Sequence, residues 1–180
     1  MAAAPRVVLD ANVLYPSMVR GILLRLAAAG FFQLYWSDDI LIETTRNLVA
    51  SAGMSERQAA RLREAMEKAF PEAMVSGYGG LISSMQNDPK DRHVAAVAAK
   101  AQAQVIVTDN LKDFGNLPHG MKAKSADEFL LEMFSLDPEL VVEELQAQAA
   151  ALQRPPVMFE KLLDGMKRLV PRFIAAVRAH

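Results

Sequence analysis

The 180-residue sequence contains no cysteine and only three histidines, which are widely spaced at positions 93, 119 and 180. Without cysteine the chain can form neither disulfides nor thiolate metal sites, and histidines this scattered do not provide a clustered histidine site. We therefore expect any metal ion bound by this protein to have oxygen ligands.

Long apolar runs and a strong net charge are also absent. No stretch approaches the roughly 18 consecutive apolar residues of a membrane helix, and the N-terminal segment lacks the charged-then-apolar order of a secretory signal. We expect a cytoplasmic protein. The formal net charge is -1, so any attraction to nucleic acid has to come from a local basic patch. Hydrophobic residues make up 52% of the chain, which is enough for a sizeable core.

Two short apolar runs each end at an aspartate. Residues 7–9 precede Asp10, and residues 105–108 precede Asp109. Short β-branched runs without polar alternation are typical of buried strands in a parallel sheet. Ligands of such sheets bind in the crevice outside the carboxyl ends of the strands, so both aspartates are expected at a functional edge.

Helical and strand-like patterns alternate along the first part of the chain. In chain order they predict a helix from 16 to 30, a strand at 31–36, a helix from 38 to 53, a charged helix at 56–70, a bent strand at 73–82, a helix at 90–102 and a last short strand at 121–124. This alternation is typical of an α/β fold with a central, mainly parallel sheet.

The sequence indicates a core domain at residues 1–134 and a C-terminal helical extension at 135–180. Helices are predicted at 137–153, 157–170 and 173–178, with a break at Arg154-Pro155-Pro156. Basic residues predominate in the last part of the extension. It could pack on the core, form a dimer interface or receive a partner peptide, and the sequence leaves these three possibilities open.

Four acids are expected at one edge of the sheet. Asp10 and Asp109 end strands, Glu43 lies on the helix after the second strand, and Asp91 lies in the first turn of a later helix. Right-handed crossovers would bring them together. Crowded carboxylates raise one another's pKa values unless cations neutralise them, and oxygen ligands suit Mg²⁺ or Mn²⁺. Such a site could activate water and stabilise charge on a phosphodiester.

Each acid also has a simple structural interpretation. Asp88 and Pro89 are typical of a helix start, where Asp91 would complement the helix dipole without any metal. Glu43 could be a surface acid paired with Arg46. The two strand-end aspartates could belong to ordinary turns. The metal-site hypothesis is favoured because the structural interpretations would require four unrelated acids to fall by coincidence on one edge of the sheet.

The residues resemble the PIN-domain family, many of whose members are VapC-type toxins. The resemblance lies in the order of four segments: Val7-Val8-Leu9-Asp10-Ala11-Asn12-Val13-Leu14, Ser37-Asp38-Asp39-Ile40-Leu41-Ile42-Glu43, Asp88-Pro89-Lys90-Asp91-Arg92 and Val105-Ile106-Val107-Thr108-Asp109-Asn110. It covers roughly residues 6–134.

This resemblance implies an α/β/α sandwich and a Mg²⁺- or Mn²⁺-dependent endoribonuclease. Asp10, Glu43, Asp91 and Asp109 would be its metal ligands and catalytic residues. It also implies an RNA substrate and a cognate antitoxin protein, and it allows a homodimer.

One position departs from the family pattern. Members often carry the fourth acid two residues after the Thr or Ser that ends the strand, and Asn110 occupies that position here, two residues after Thr108. Asp109, Asn110 or Asp113 could fill the fourth position, and we expect Asp109. Asn12 is expected to orient a water molecule or a phosphate.

Contact with the substrate has to come from side chains other than these acids. Arg46, Arg92 and Lys112 are candidates for phosphate binding, whereas His93 is expected to be a helix residue outside the site. Two other functions remain open: a PIN-like module that binds RNA or protein without cutting, and a phosphotransfer enzyme with Asp10 or another strand-end acid as phosphoacceptor.

Overall fold

A four-stranded parallel sheet forms the centre of the computed structural model, which describes residues 2–152 and 158–180. Its strands are β1 (Arg6–Leu9), β2 (Gln33–Tyr35), β3 (Val105–Val107) and β4 (Lys122–Lys124), in the spatial order β2-β1-β3-β4. Val8 of β1 is in register with Tyr35 on one side and Ile106 on the other. The apolar residues of β1 and β3 are buried, as expected for central strands covered on both faces.

Helices flank this sheet and continue beyond it. In chain order they are α1 (Ala11–Leu14), α2 (Ser17–Ala28), α3 (Asp38–Ser51), α4 (Glu56–Ala69), α5 (Arg92–Ala101), α6 (Ala126–Leu136), α7 (Pro138–Ala151), α8 (Phe159–Met166) and α9 (Pro171–Ala179). Ser37, Ser55 and Ser125 cap α3, α4 and α6, each accepting a hydrogen bond from a backbone N–H in the first turn. The predicted α/β fold with a parallel sheet is confirmed.

The bent strand predicted at 73–82 was wrong. Only Met74 pairs there, in a single parallel bridge with Trp36, and a 3₁₀ helix follows at Gly79–Ser84. Gly77 adopts a φ of +72°, a left-handed conformation that interrupts an extended chain. The segment packs on α5 instead of extending the sheet.

The C-terminal helices pack on the rest of the molecule. Helix α7 lies so close to α2 that a Cβ atom added at Gly21 would be 2.4 Å from Nε2 of Gln148, which donates to the Met18 carbonyl at 2.9 Å. Helix α9 packs on α6, where the rings of Phe134 and Phe173 meet edge to face. The hydrophobic core therefore continues from the sheet into these helices.

The predicted helix bounds of the C-terminal extension agree only in part with the structure. Helix α8 is shorter than the predicted 157–170, and α9 begins at Pro171, where the sequence predicts the division between helices. The predicted break at 154–156 lies outside the described residues, and the domain boundary near 134 stays a prediction. In the described ranges, no helix is long and apolar enough to cross a membrane.

Candidate active site

An open pocket of about 780 Å³ lies at the carboxyl ends of β1 and β3, and all four predicted acids line it. Its other lining residues include the amides Asn12, Asn47 and Asn110 and the basic side chains Arg46, Lys90 and His93. The elements that contribute are the loops after β1 and β3, the exposed face of α3 and the start of α5. The strand ends of the parallel sheet thus meet acids from two helical segments, as crossover topology allows.

Asp10 is the most deeply buried acid of the pocket, with 4% of its surface exposed. Its Oδ1 accepts a hydrogen bond from Ala11 N at 2.8 Å, and its Oδ2 accepts one from Thr108 Oγ1 at 3.0 Å. Burial, together with the negative charges of Asp91 and Glu43, raises the pKa of Asp10 to about 7, against the lowering effect of the two hydrogen bonds. These three acids therefore share one electrostatic environment.

Asn12 joins the loops that follow the two central strands. Its Nδ2 donates to Thr108 Oγ1 at 3.0 Å and lies 3.5 Å from Oδ2 of Asp10, while its Oδ1 accepts from Asp109 N at 3.1 Å. The amide therefore holds the Thr108 hydroxyl beside Asp10. Its predicted role in orienting water or phosphate stays a prediction.

Asp91 directly follows a helix start of the expected type. The Asp88 carboxylate accepts from Lys90 N at 3.2 Å, and Pro89 begins a 3₁₀ turn that ends at Asp91. Asp91 makes no capping hydrogen bond at the start of α5. Burial raises the pKa of Asp91, the positive charge of Lys90 opposes this increase, and repulsion from Asp113 and Glu43 adds to it.

Glu43 lies on α3 and lines the pocket, and among the described residues it forms no salt bridge, so the alternative pairing with Arg46 is not formed. Its negative charge contributes to the raised pKa values of both Asp10 and Asp91. Nothing in the described part of the chain neutralises this acid. It is therefore available to a ligand that enters the pocket.

The three candidates for the fourth position have different surroundings. Asp109 Oδ1 accepts a hydrogen bond from Ala126 N at 3.1 Å; burial raises the pKa of Asp109, and the charge of Asp127 adds to the increase. Asn110 instead approaches Asp91, with its Nδ2 3.4 Å from Oδ2, and also donates to Asp113. Asn110 and Asp113 thus surround Asp91, whereas the Asp109 carboxylate contacts the start of α6.

Basic side chains at the pocket differ from the predicted set. Arg46 lines the pocket as expected, but Arg92 Nε donates to the Asn87 carbonyl at 2.9 Å. Lys90 lines the pocket and pairs with Asp113 at 3.0 Å.

His93 was expected to lie outside the site, and its place in the structure is different. It also lines the pocket, and its Nδ1 is buried without a hydrogen-bond partner among the described residues. Its position two residues after Asp91 was the only available signal.

The donor set fits a hard divalent cation by its chemistry. All acidic donors are oxygens, and the raised pKa of Asp10 marks a carboxylate whose charge a cation would stabilise. As the described side chains stand, no three His, Cys, Asp or Glu groups converge closely enough to hold an ion. The acids are near enough to raise one another's pKa values, but they would have to draw closer to bind an ion together.

The family model for the PIN domain matches residues 6–112, which is more than half of the chain. The chain belongs to the PIN-domain family. A second model, the VapC50 C-terminal domain, matches residues 126–179, which begin with α6. The resemblance found in the sequence is thereby confirmed for a PIN domain of the VapC type.

One relative of this PIN domain is the protein named "Putative ribonuclease VapC50" from Mycobacterium tuberculosis. It is 39% identical over 109 residues, which represent 59% of this chain and 64% of the relative. The matched region therefore spans less than two thirds of the relative's length. No solved structure matches the chain.

Proposed function

We propose that this PIN domain is a metal-dependent endoribonuclease that hydrolyses RNA phosphodiester bonds. The supporting observation is the buried Asp10 carboxylate, which shares an open pocket with Asp91 and Glu43 and has a pKa raised to about 7. Burying uncompensated acids opposes folding, so their concentration at a strand-end cleft favours a functional site over a structural one. The name of the relative supports RNA as the substrate class.

Asp10, Glu43 and Asp91 would hold Mg²⁺ or Mn²⁺. When bound, such an ion supplies an activated water and stabilises negative charge on the scissile phosphate. The protein's own contribution is positional: Thr108 and the Ala11 backbone N–H orient the Asp10 carboxylate. Asp109 was predicted as a fourth ligand, and its carboxylate is hydrogen-bonded to α6.

RNA phosphates would bind at the basic edge of the pocket. Arg46, Lys90 and His93 all line it, and they provide hydrogen-bond donors beside the acidic floor. An acidic site alone repels a polyanion, so these donors are needed to hold the backbone while the acids bind the cation. The pocket is open to solvent, so a phosphodiester could reach the acids.

We also propose that the protein is the toxin of a toxin-antitoxin pair. The supporting observations are the PIN-domain match followed by the VapC50 C-terminal domain match along one chain. Expression of the chain should arrest growth, and a co-expressed cognate antitoxin should relieve the arrest. Arrest that persists in an Asp10→Asn variant would contradict this proposal. A cytoplasmic location stays a prediction from the sequence.

The test of the nuclease is cleavage of a structured RNA mixture by wild type, Asp10→Asn and Asp91→Asn, each with Mg²⁺, Mn²⁺ or EDTA. We expect cleavage to require metal and to fall by more than about 100-fold in both variants, since even residues that only support metal ligands contribute 10–100-fold. Asp137→Asn is the matched control, because Asp137 caps α7 and asparagine caps almost equally well.

Three results would contradict the proposal. Cleavage that survives EDTA would exclude the metal mechanism. Equal cleavage by wild type and both variants would show that the cleavage does not come from this pocket, and metal-independent RNA binding without cleavage would favour the binding-module alternative.

A further inference from the structure

Asp109 differs from the other acids of the pocket in what it contacts. Its Oδ1 accepts the Ala126 N–H at 3.1 Å, and the charge that acts on it is that of Asp127. By contrast, Asp10 and Asp91 both experience the charge of Glu43. Asp109 therefore lines the pocket while its carboxylate is engaged at the first residue of α6.

The start of α6 receives side-chain caps from two separate parts of the chain. Ser125 Oγ accepts from Glu128 N at 3.1 Å, and Asp109, 17 residues earlier, accepts from Ala126 N. The first N–H groups of a helix have no partner within the helix, and the positive end of the helix dipole favours a carboxylate. Moving the Asp109 side chain into the pocket would break this hydrogen bond and leave the Ala126 N–H unpaired.

The backbone of Asp109 is also held from the other side. Its N–H donates to Asn12 Oδ1 at 3.1 Å, which joins it to the loop after β1. The adjacent Asn110 donates through its backbone N–H to Thr108 Oγ1 at 3.1 Å and approaches Asp91 with its side chain. Any shift of Asp109 would therefore displace groups that contact Asp10 and Asp91.

The same helix start connects to the end of the chain. Asp127, the second residue of α6, accepts hydrogen bonds from the backbone N–H groups of Arg172 at 3.3 Å and Phe173 at 2.8 Å, at the beginning of α9. The start of α6 is thus fixed by α9 on one side and by Asp109 on the other.

We propose that Asp109 is a positioning residue rather than a metal ligand: it fixes the loop after β3 on the start of α6, and thereby couples the C-terminal helices to the acidic pocket. This inference rests on the proposed metal-dependent nuclease. It assigns the C-terminal helices a part in keeping Asn110 and Thr108 at the site.

The test compares Asp109→Asn with Asp109→Ala, using Asp91→Asn as the reference for a lost ligand. Three quantities are measured on each full-length protein: the Tm in EDTA, the rise in Tm on adding Mn²⁺, and RNA cleavage. Asparagine keeps an oxygen that can accept the Ala126 N–H, whereas alanine removes the cap. If Asp109 were a metal ligand, both substitutions should reduce the Mn²⁺-induced rise in Tm and RNA cleavage.

We expect Asp109→Ala to lower the Tm in EDTA by about 2–4 °C, the usual effect of a lost cap in a chain of this size, and to reduce cleavage by about tenfold. Asp109→Asn should recover most of both losses and keep the Mn²⁺-induced rise in Tm. Asp91→Asn should lose most of that rise.

The inference is overturned if Asp109→Asn loses the Mn²⁺-induced rise as Asp91→Asn does, or if alanine and asparagine behave alike in EDTA. The proposed function fails separately, if wild type shows neither metal-dependent cleavage nor a Mn²⁺-induced rise. In that case the comparison in EDTA still decides whether Asp109 fixes the loop on α6. If the alanine variant does not fold, the asparagine variant alone distinguishes a ligand from a cap.

Discussion

Replacing Asp10 by asparagine should stabilise the metal-free protein at alkaline pH while it abolishes cleavage. Burial raises the pKa of Asp10 from 3.8 to about 7, so the folded protein holds a proton that the unfolded chain releases near pH 4. The folded state therefore binds more protons than the unfolded state between these values, and its stability falls as the pH rises through this window. Asparagine does not titrate, so the variant should not lose stability in this way as the pH rises.

The size of the effect follows from the two pKa values. Between pH 5 and pH 8, the Asp10 contribution lowers the free energy of unfolding by about 3 kcal/mol. For a chain of this length this corresponds to a fall in Tm of roughly 5–10 °C. At pH 8, where Asp10 is a carboxylate, asparagine cannot accept the hydrogen bonds from both Ala11 N and Thr108 Oγ1, which offsets about 1 kcal/mol of the variant's advantage.

The assay is thermal unfolding of wild type and Asp10→Asn, both freed of metal, at several pH values from 5 to 8. The difference in Tm between variant and wild type should grow as the pH rises. Groups that titrate in both proteins cancel in this difference, so it reports the contribution of Asp10. Adding Mn²⁺ at pH 8 should raise the wild-type Tm much more than that of the variant. Parallel Tm curves for the two proteins would refute the reasoning, because they would show that Asp10 is not a buried, uncompensated acid.

Two further predictions concern packing and substrate binding. Gly21→Ala should lower the free energy of unfolding by about 1 kcal/mol, because the new Cβ would push the Gln148 amide off the Met18 carbonyl and the better helix propensity of alanine only partly offsets this loss. Gly115→Ala, where nothing lies within 4 Å, should be near neutral. Equal Tm values for the two variants would contradict the packing of Gln148 against α2. Arg46→Ala should raise the KM for RNA several-fold, with a smaller effect on kcat, and lower the salt dependence of binding by about one unit of slope. Arg61→Ala, an exposed change on α4, is its control, and equal KM values would remove Arg46 from the binding surface.

The elements that the sequence predicted well are those with strong local signals. β1 and β3 are short apolar runs, and the serines before α3, α4 and α6 mark helix starts. The segment at 73–82 lacked such a signal, because its apolar residues are interrupted by glycines that suit a turn as well as a bent strand. Its packing on α5 is a tertiary contact that no local pattern encodes.

The topology of the fold made the acids of the pocket predictable, but it did not determine which neighbouring side chains join them. Asp10, Glu43 and Asp91 follow from strand ends and helix starts, which parallel crossovers bring to one edge. The choice between Asp109 and Asn110 depends on a contact with Ala126, which lies in a later helix. Likewise, the direction of His93 depends on the rotation of α5 about its axis, which is fixed by the packing of the whole domain.

The strand order has a consequence for the protein while it is being synthesised. β1 emerges first, yet it lies between β2 and β3, and the Thr108 hydroxyl that bonds Asp10 comes 98 residues later. At typical rates of translation this interval lasts about 5–20 s. A nascent chain therefore has no assembled acidic pocket during most of its synthesis. The pocket cannot be completed before Thr108 has been made, well past the middle of the 180-residue sequence.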